Sequence, residues 1–117
     1  MSRIKLVVAD DNDSFREALV RFLSNYFDVL DAVSDGGELI DSATLVNPDV
    51  IVSDVCMPLF TGPEAMHELY ANGVKIPFVF VSAGENTLGD HFSFVSKDKI
   101  THQLVPAIQK SVSGCFT

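Results

Sequence analysis

Residues 47–58 read NPDVIVSDVCMP: a turn, a short apolar strand, and an aspartate where that strand runs out. Pro48 and Asp49 punctuate the turn. Val50, Ile51 and Val52 follow as a β-branched run with no polar residue between them, the pattern of a strand buried on both faces. Asp54 then stands at the carboxyl end of a central strand, where open α/β sheets place their chemistry. The first apolar run, Ile4 to Ala9, ends the same way, on Asp10, Asp11, Asn12 and Asp13. If the two strands are parallel neighbours, their carboxylates meet.

Outward from this pair, strands and helices alternate. Asp13 or Ser14 is the expected N-cap of a helix carrying Phe15, Ala18, Leu19, Phe22 and Leu23 on one face. Phe27 to Val33 reads as the second strand, Ser34 to Gly37 as a turn, and Glu38 to Val46 as a short helix leading back into the Asn47 to Asp54 strand. After a loop from Leu59 to Gly62, Pro63 suits the first helical position, and Ala65, Met66, Leu69 and Tyr70 form a stripe that Asn72 and Gly73 end. Pro77 to Val81 is the fourth strand and Phe92 to Ser96 the fifth. The last helix starts near Asp98 or Thr101 and turns Ile100, Leu104, Ile108 and Val112 inward, with a kink or a late start expected at Pro106. This alternation predicts an α/β fold, one parallel sheet covered by helices on both faces.

The rhythm breaks once. Gly84 to Asp90 is polar and too short for an ordinary helix, although a parallel crossover usually takes a dozen or more residues. The helix between strands 4 and 5 is therefore expected to be missing or reduced. The phenylalanines at 78, 80, 92 and 94 are expected in core and strand packing, with some of them on the uncovered sheet face, which suggests a homodimer through the region of strands 4 and 5, or a seat for a partner helix.

The 117 residues, 47% of them hydrophobic, suit a single domain over residues 1–117. A net charge of −8, with eight scattered basic residues, argues against nucleic acid as a partner. No apolar run approaches the roughly 20 residues of a membrane span, so no membrane partner is expected. Two cysteines far apart, without a secretory pattern at the N-terminus, point to the cytoplasm.

The strand ends should gather Asp10, Asp11, Asp54, Ser82 and Lys97 at one edge of the sheet. Carboxylates packed together raise one another's pKa values unless a cation sits among them, and Mg²⁺ suits a partly hydrated site with few carboxylates. Asp54 is then a candidate nucleophile toward phosphorus, with the Lys97 ammonium and Ser82 hydroxyl available to the phosphoryl oxygens. Asp10, Asp11 and Asp13 also make sense as ordinary turn and cap residues, and Cys56 as a small residue rather than a redox thiol. His67, His91 and His102 lack ligand spacing.

The motifs ADDND at residues 9–13, the strand ending in Asp54, MP at 57–58, Gly62, VSA at 81–83 and Lys97 fall in order at compatible spacings. With them the chain resembles the receiver domain of bacterial two-component response regulators over essentially its whole length. The resemblance implies a flavodoxin-like sheet of order 2-1-3-4-5. It implies phosphorylation of Asp54 by a histidine kinase or phosphotransfer protein, and output through a downstream protein partner. It also implies Mg²⁺ held by Asp10, Asp11, Asp54 and the backbone carbonyl of Cys56, and a switch in which Ser82 and Phe94 move together. The chain departs from the family pattern in its short passage from Ser82 to Lys97, in Asp98 after the lysine where proline is usual, in Phe94 where tyrosine is commoner, and in the small residues Cys56 and Gly84 beside the site. A receiver-like docking module that never carries phosphate is the alternative. A Mg²⁺-dependent phosphatase is disfavoured by the absence of a cap domain and of a DxDxT signature, and nucleotide hydrolysis by the absence of a P-loop.

Overall fold

Five parallel strands, β1 (Lys5–Ala9), β2 (Asp28–Val33), β3 (Val50–Asp54), β4 (Phe78–Ser82) and β5 (Ser93–Ser96), lie in the order β2-β1-β3-β4-β5. The computed structural model describes residues 3–113. Four helices, α1 (Asp13–Leu23), α2 (Gly36–Val46), α3 (Gly62–Ala71) and α4 (Ile100–Ser113), complete the flavodoxin-like fold expected from the alternation. No described helix is long and apolar enough to cross a membrane.

The strand period of two sorts each apolar run onto the two faces of the sheet. Leu6, Val8, Val50, Val52, Val79, Val81 and Val95 pack with Leu19 and Leu23 of α1 and Leu104 and Ile108 of α4. Val7, Ala9, Ile51, Phe78 and Phe80 pack with Leu39 and Ala43 of α2 and Ala65 and Leu69 of α3. Every residue of β3 is buried, which explains why Val50, Ile51 and Val52 follow one another with no polar residue between them. The edge strand β2, by contrast, is mostly exposed.

The helix starts differ from the sequence reading, and the capping side chains explain each shift. Asn12, not Asp13 or Ser14, caps α1 by accepting the Phe15 N–H at 2.9 Å. Asp35 caps α2 by accepting the Glu38 N–H, so the helix begins at Gly36 within the expected turn. Thr61 and Glu64 form a reciprocal capping box that starts α3 at Gly62, one residue before Pro63. At its far end α2 closes on Asn47 in the left-handed region, φ 49°. A 3-10 turn (Lys97–Lys99) precedes α4, which continues through Pro106 to Ser113 and does not start late.

No helix joins β4 to β5. The linking residues, 83–92, instead contain a tight turn in which the Asn86 side chain accepts from Leu88 N–H and donates to the Gly89 carbonyl. Leu88 and Phe92 from this link fold back on the second core, where the Phe92 ring meets Phe80 edge-on at 6.0 Å and Phe80 stacks on Phe78 at 5.4 Å. Phe78 and Phe80 are consequently buried and Phe92 and Phe94 half-buried. The open apolar face expected there is thus partly covered from within the chain, while a cavity of about 470 Å³ remains beside Phe78 and Phe92.

Candidate functional site

The sheet order places β1 and β3 side by side, with Ala9 opposite Ser53, so Asp10 and Asp54 emerge from adjacent strand ends. The turn after β1 is built from the same carboxylate: Asp10 Oδ1 accepts the Asn12 N–H at 2.9 Å. Arg16 reaches back from α1 to hydrogen-bond the Asp10 carbonyl at 2.8 Å, and it pairs with Asp13 at 2.7 Å. Asp10 is fully buried. Capping chemistry and site chemistry thus reside in one acidic cluster, as alternatives that proved compatible.

Lys97 follows β5 and returns over the same edge. Its ammonium lies 2.9 Å from Asp10 Oδ2 and 3.6 Å from Asp54 Oδ2. It also stands 4.2 Å from the centroid of the Phe15 ring. Asp10 Oδ2 has no hydrogen-bond partner, so the ion pair with Lys97 is its sole compensation among the described residues.

One carboxylate oxygen from each of Asp10, Asp11 and Asp54 lies within 4.8 Å of the others, with Asp10 buried and Asp11 exposed. Three hard oxygen donors, one of them on a fully buried carboxylate, fit a divalent cation that keeps part of its water shell. Burial pushes the Asp54 carboxyl above the usual carboxylate range and repulsion from Asp10 adds to this, while Lys97 and the backbone N–H groups of Val55 and Cys56 oppose it.

The raised Asp54 pKa has a stability sign. A group that holds its proton more tightly folded than unfolded contributes stability below its unfolded pKa and loses it as pH rises through the folded value. Ionised Asp54 therefore weakens the metal-free fold near neutrality. The Asp54→Asn variant is expected to melt higher than wild type at pH 7 without divalent ions, by about 4 °C for a gain on the order of 1 kcal/mol. The gap should shrink by pH 4; equal gaps at both pH values would contradict this account.

Ser82 ends β4 on the same edge, one residue beyond Val81, the register partner of Asp54. Its hydroxyl accepts from Gly84 N–H at 3.5 Å, and no described contact joins it to Asp54 or Lys97. Phe94 lies half-buried in β5 opposite Phe80. Cys56 is exposed with a free thiol. After Lys97, the Asp98 carboxylate accepts a short hydrogen bond from the Ser96 hydroxyl, which holds Asp98 below the usual carboxylate range.

Two contributors escaped the sequence reading. Phe15 looked like one more residue of an apolar helix stripe, and nothing in the spacing distinguishes a ring under an ammonium from a ring in a core. Arg16 carried a signal, since Asp13 and Arg16 stand at the i,i+3 spacing of a helical ion pair.

The sequence matches the response regulator receiver domain family over residues 6–108. It is 34% identical over 80 residues to a protein-glutamate methylesterase/protein-glutamine glutaminase of Colwellia psychrerythraea, covering 67% of this chain and 21% of that protein. It is 31% identical over 83 residues to the response regulator MprA of Mycolicibacterium vanbaalenii, covering 71% of this chain and 36% of that one. The chain thus spans about a fifth and about a third of these relatives' lengths. The crystal structure of the response regulator domain of Thermotoga maritima CheB superposes with a TM-score of 0.83 at 21% identity, covering 95% of this chain and 97% of that one, a likeness of fold.

Proposed function

The chain belongs to the response regulator receiver domain family of two-component signalling, and from that premise we propose that it works as a single cytoplasmic receiver domain with Asp54 as phosphoacceptor. The observation that carries this reading is the convergence of the Lys97 ammonium on Asp10 and Asp54, 2.9 and 3.6 Å away, at the carboxyl edge of the sheet. The donor is a histidine kinase or phosphotransfer protein. An Asp54 carboxylate oxygen forms the new bond to phosphorus, the bond from phosphorus to the donor imidazole nitrogen breaks, and that nitrogen retains the electron pair and takes up a proton.

The residues around Asp54 have separate tasks. Asp10, Asp11, Asp54 and the Cys56 carbonyl hold Mg²⁺, which when bound supplies hard positive charge next to the phosphoryl oxygens. Lys97 carries a second positive charge to the same place, and its present hold on Asp10 keeps it within reach of Asp54. Ser82 turns its hydroxyl toward the added group, and Phe94 packs inward with it. The domain converts no other substrate; it assists only its own phosphorylation and dephosphorylation. Its output is an altered affinity for a protein partner, because a doubly charged group at Asp54 favours one arrangement of the surrounding loops over another.

The decisive experiment incubates the protein with acetyl phosphate and Mg²⁺ and reads its intact mass. Wild type is expected to gain one phosphoryl group, and the Asp54→Asn variant to gain none. Failure of the wild type to label under any condition would favour the docking module that acts without phosphate.

A further inference from the structure

We infer that Phe15 is a positioning residue for Lys97, its ring serving as the platform that keeps the ammonium between Asp10 and Asp54. The inference rests on the phosphoacceptor reading for its consequence, and on geometry for its substance. Lys97 carries its charge on a flexible four-carbon stem. The turn bearing it, Lys97–Lys99, has Asp98 where a proline would stiffen the backbone. Two carboxylates alone make an insecure hold, because one of them is the group that phosphorylation would change.

The third neighbour does not change. The Phe15 ring lies 4.2 Å from Lys97 Nζ, a distance at which the negative face of the ring attracts a cation. Phe15 is itself fixed: its N–H is capped by Asn12, it occupies the first turn of α1, and its side chain packs against the core that includes Leu19 and Leu23. Lys97 is only 20% exposed, so the attraction acts where water competes weakly. The ammonium can therefore shift from Asp10 toward an arriving phosphoryl oxygen while remaining over the ring.

The test uses the full chain with Phe15→Leu, which keeps apolar volume, and Phe15→Tyr, which keeps the ring face. In the metal-free protein, the Lys97 ε-methylene protons, assigned by their loss in Lys97→Met, are expected upfield of ordinary lysine in wild type and Phe15→Tyr. In Phe15→Leu they are expected at the ordinary position. The rate of Asp54 labelling by acetyl phosphate with Mg²⁺ is expected to fall about five-fold in Phe15→Leu and to be rescued by Phe15→Tyr. In the Lys97→Met background, Phe15→Leu should change the rate no further. An upfield lysine signal that survives in Phe15→Leu, or a wild-type labelling rate in that variant, overturns the inference. Absence of labelling in every variant, wild type included, overturns the phosphoacceptor reading instead, and the resonance position then decides the role of Phe15 alone.

Discussion

Lys97→Met is expected to destabilise the metal-free protein by about 3 kcal/mol, the lower end of what breaking a buried ion pair costs when one charge is left behind. Asp10 is fully buried, and its Oδ2 atom has no hydrogen bond to fall back on when the ammonium is removed. Methionine keeps most of the apolar stem, so packing against Phe15 survives and the loss isolates the charge. Urea denaturation gives the measurement, with and without Mg²⁺. A cation among Asp10, Asp11 and Asp54 replaces the missing positive charge, so Mg²⁺ should narrow the gap between variant and wild type. A midpoint unchanged by the substitution would show that the Asp10–Lys97 pair contributes no net stability.

The second large effect is expected from Gly62→Ala. A Cβ at Gly62 would stand 2.4 Å from the carbonyl oxygen of Asp54, 2.9 Å from the Phe80 ring and 3.0 Å from Ser53 Oγ. The first of these is backbone and cannot swing aside, and the Gly62 N–H is committed to the Val55 carbonyl at 2.8 Å. The start of α3 and the end of β3 must separate, at a cost of about 3 kcal/mol, or roughly 10 °C in Tm for a chain of this size. Because the pressure falls on the Asp54 peptide group, labelling of Asp54, as proposed above, should slow as well. Gly84→Ala, whose Cβ meets nothing within 4 Å, is the control for stability and should stay within about 0.5 kcal/mol of wild type. Equal melting temperatures for the two alanine variants would refute the steric argument.

These two residues also mark how far the sequence could be read. Lys97 was legible because a strand-end position and a charge suffice to place a side chain at the sheet edge. Gly62 was legible as part of a motif, but the reason for it, a backbone approach from another element, has no trace in its neighbours. Helix starts were misplaced by one or two residues at α1, α2 and α3, since runs such as Asn12-Asp13-Ser14 offer several competent caps and only tertiary placement chooses among them. The missing helix was legible from the shortness and polarity of Gly84 to Asp90. What covers its place was not, because Leu88 and Phe92 reach the core from a link whose local sequence is mostly polar.

That link distributes stability unevenly along the sheet. A helix would shield the sheet as one cooperative unit, whereas residues 83–92 do so with two side chains and a tight turn. Their release forfeits the burial of Leu88 and Phe92 while leaving β1 and β3 intact, so opening of this segment ranks well below global unfolding in free energy. Ser82 adjoins one end of the segment, and Lys97 follows the short strand at the other. The two side chains proposed to respond to charge on Asp54 are thereby tethered to a segment held by few buried contacts.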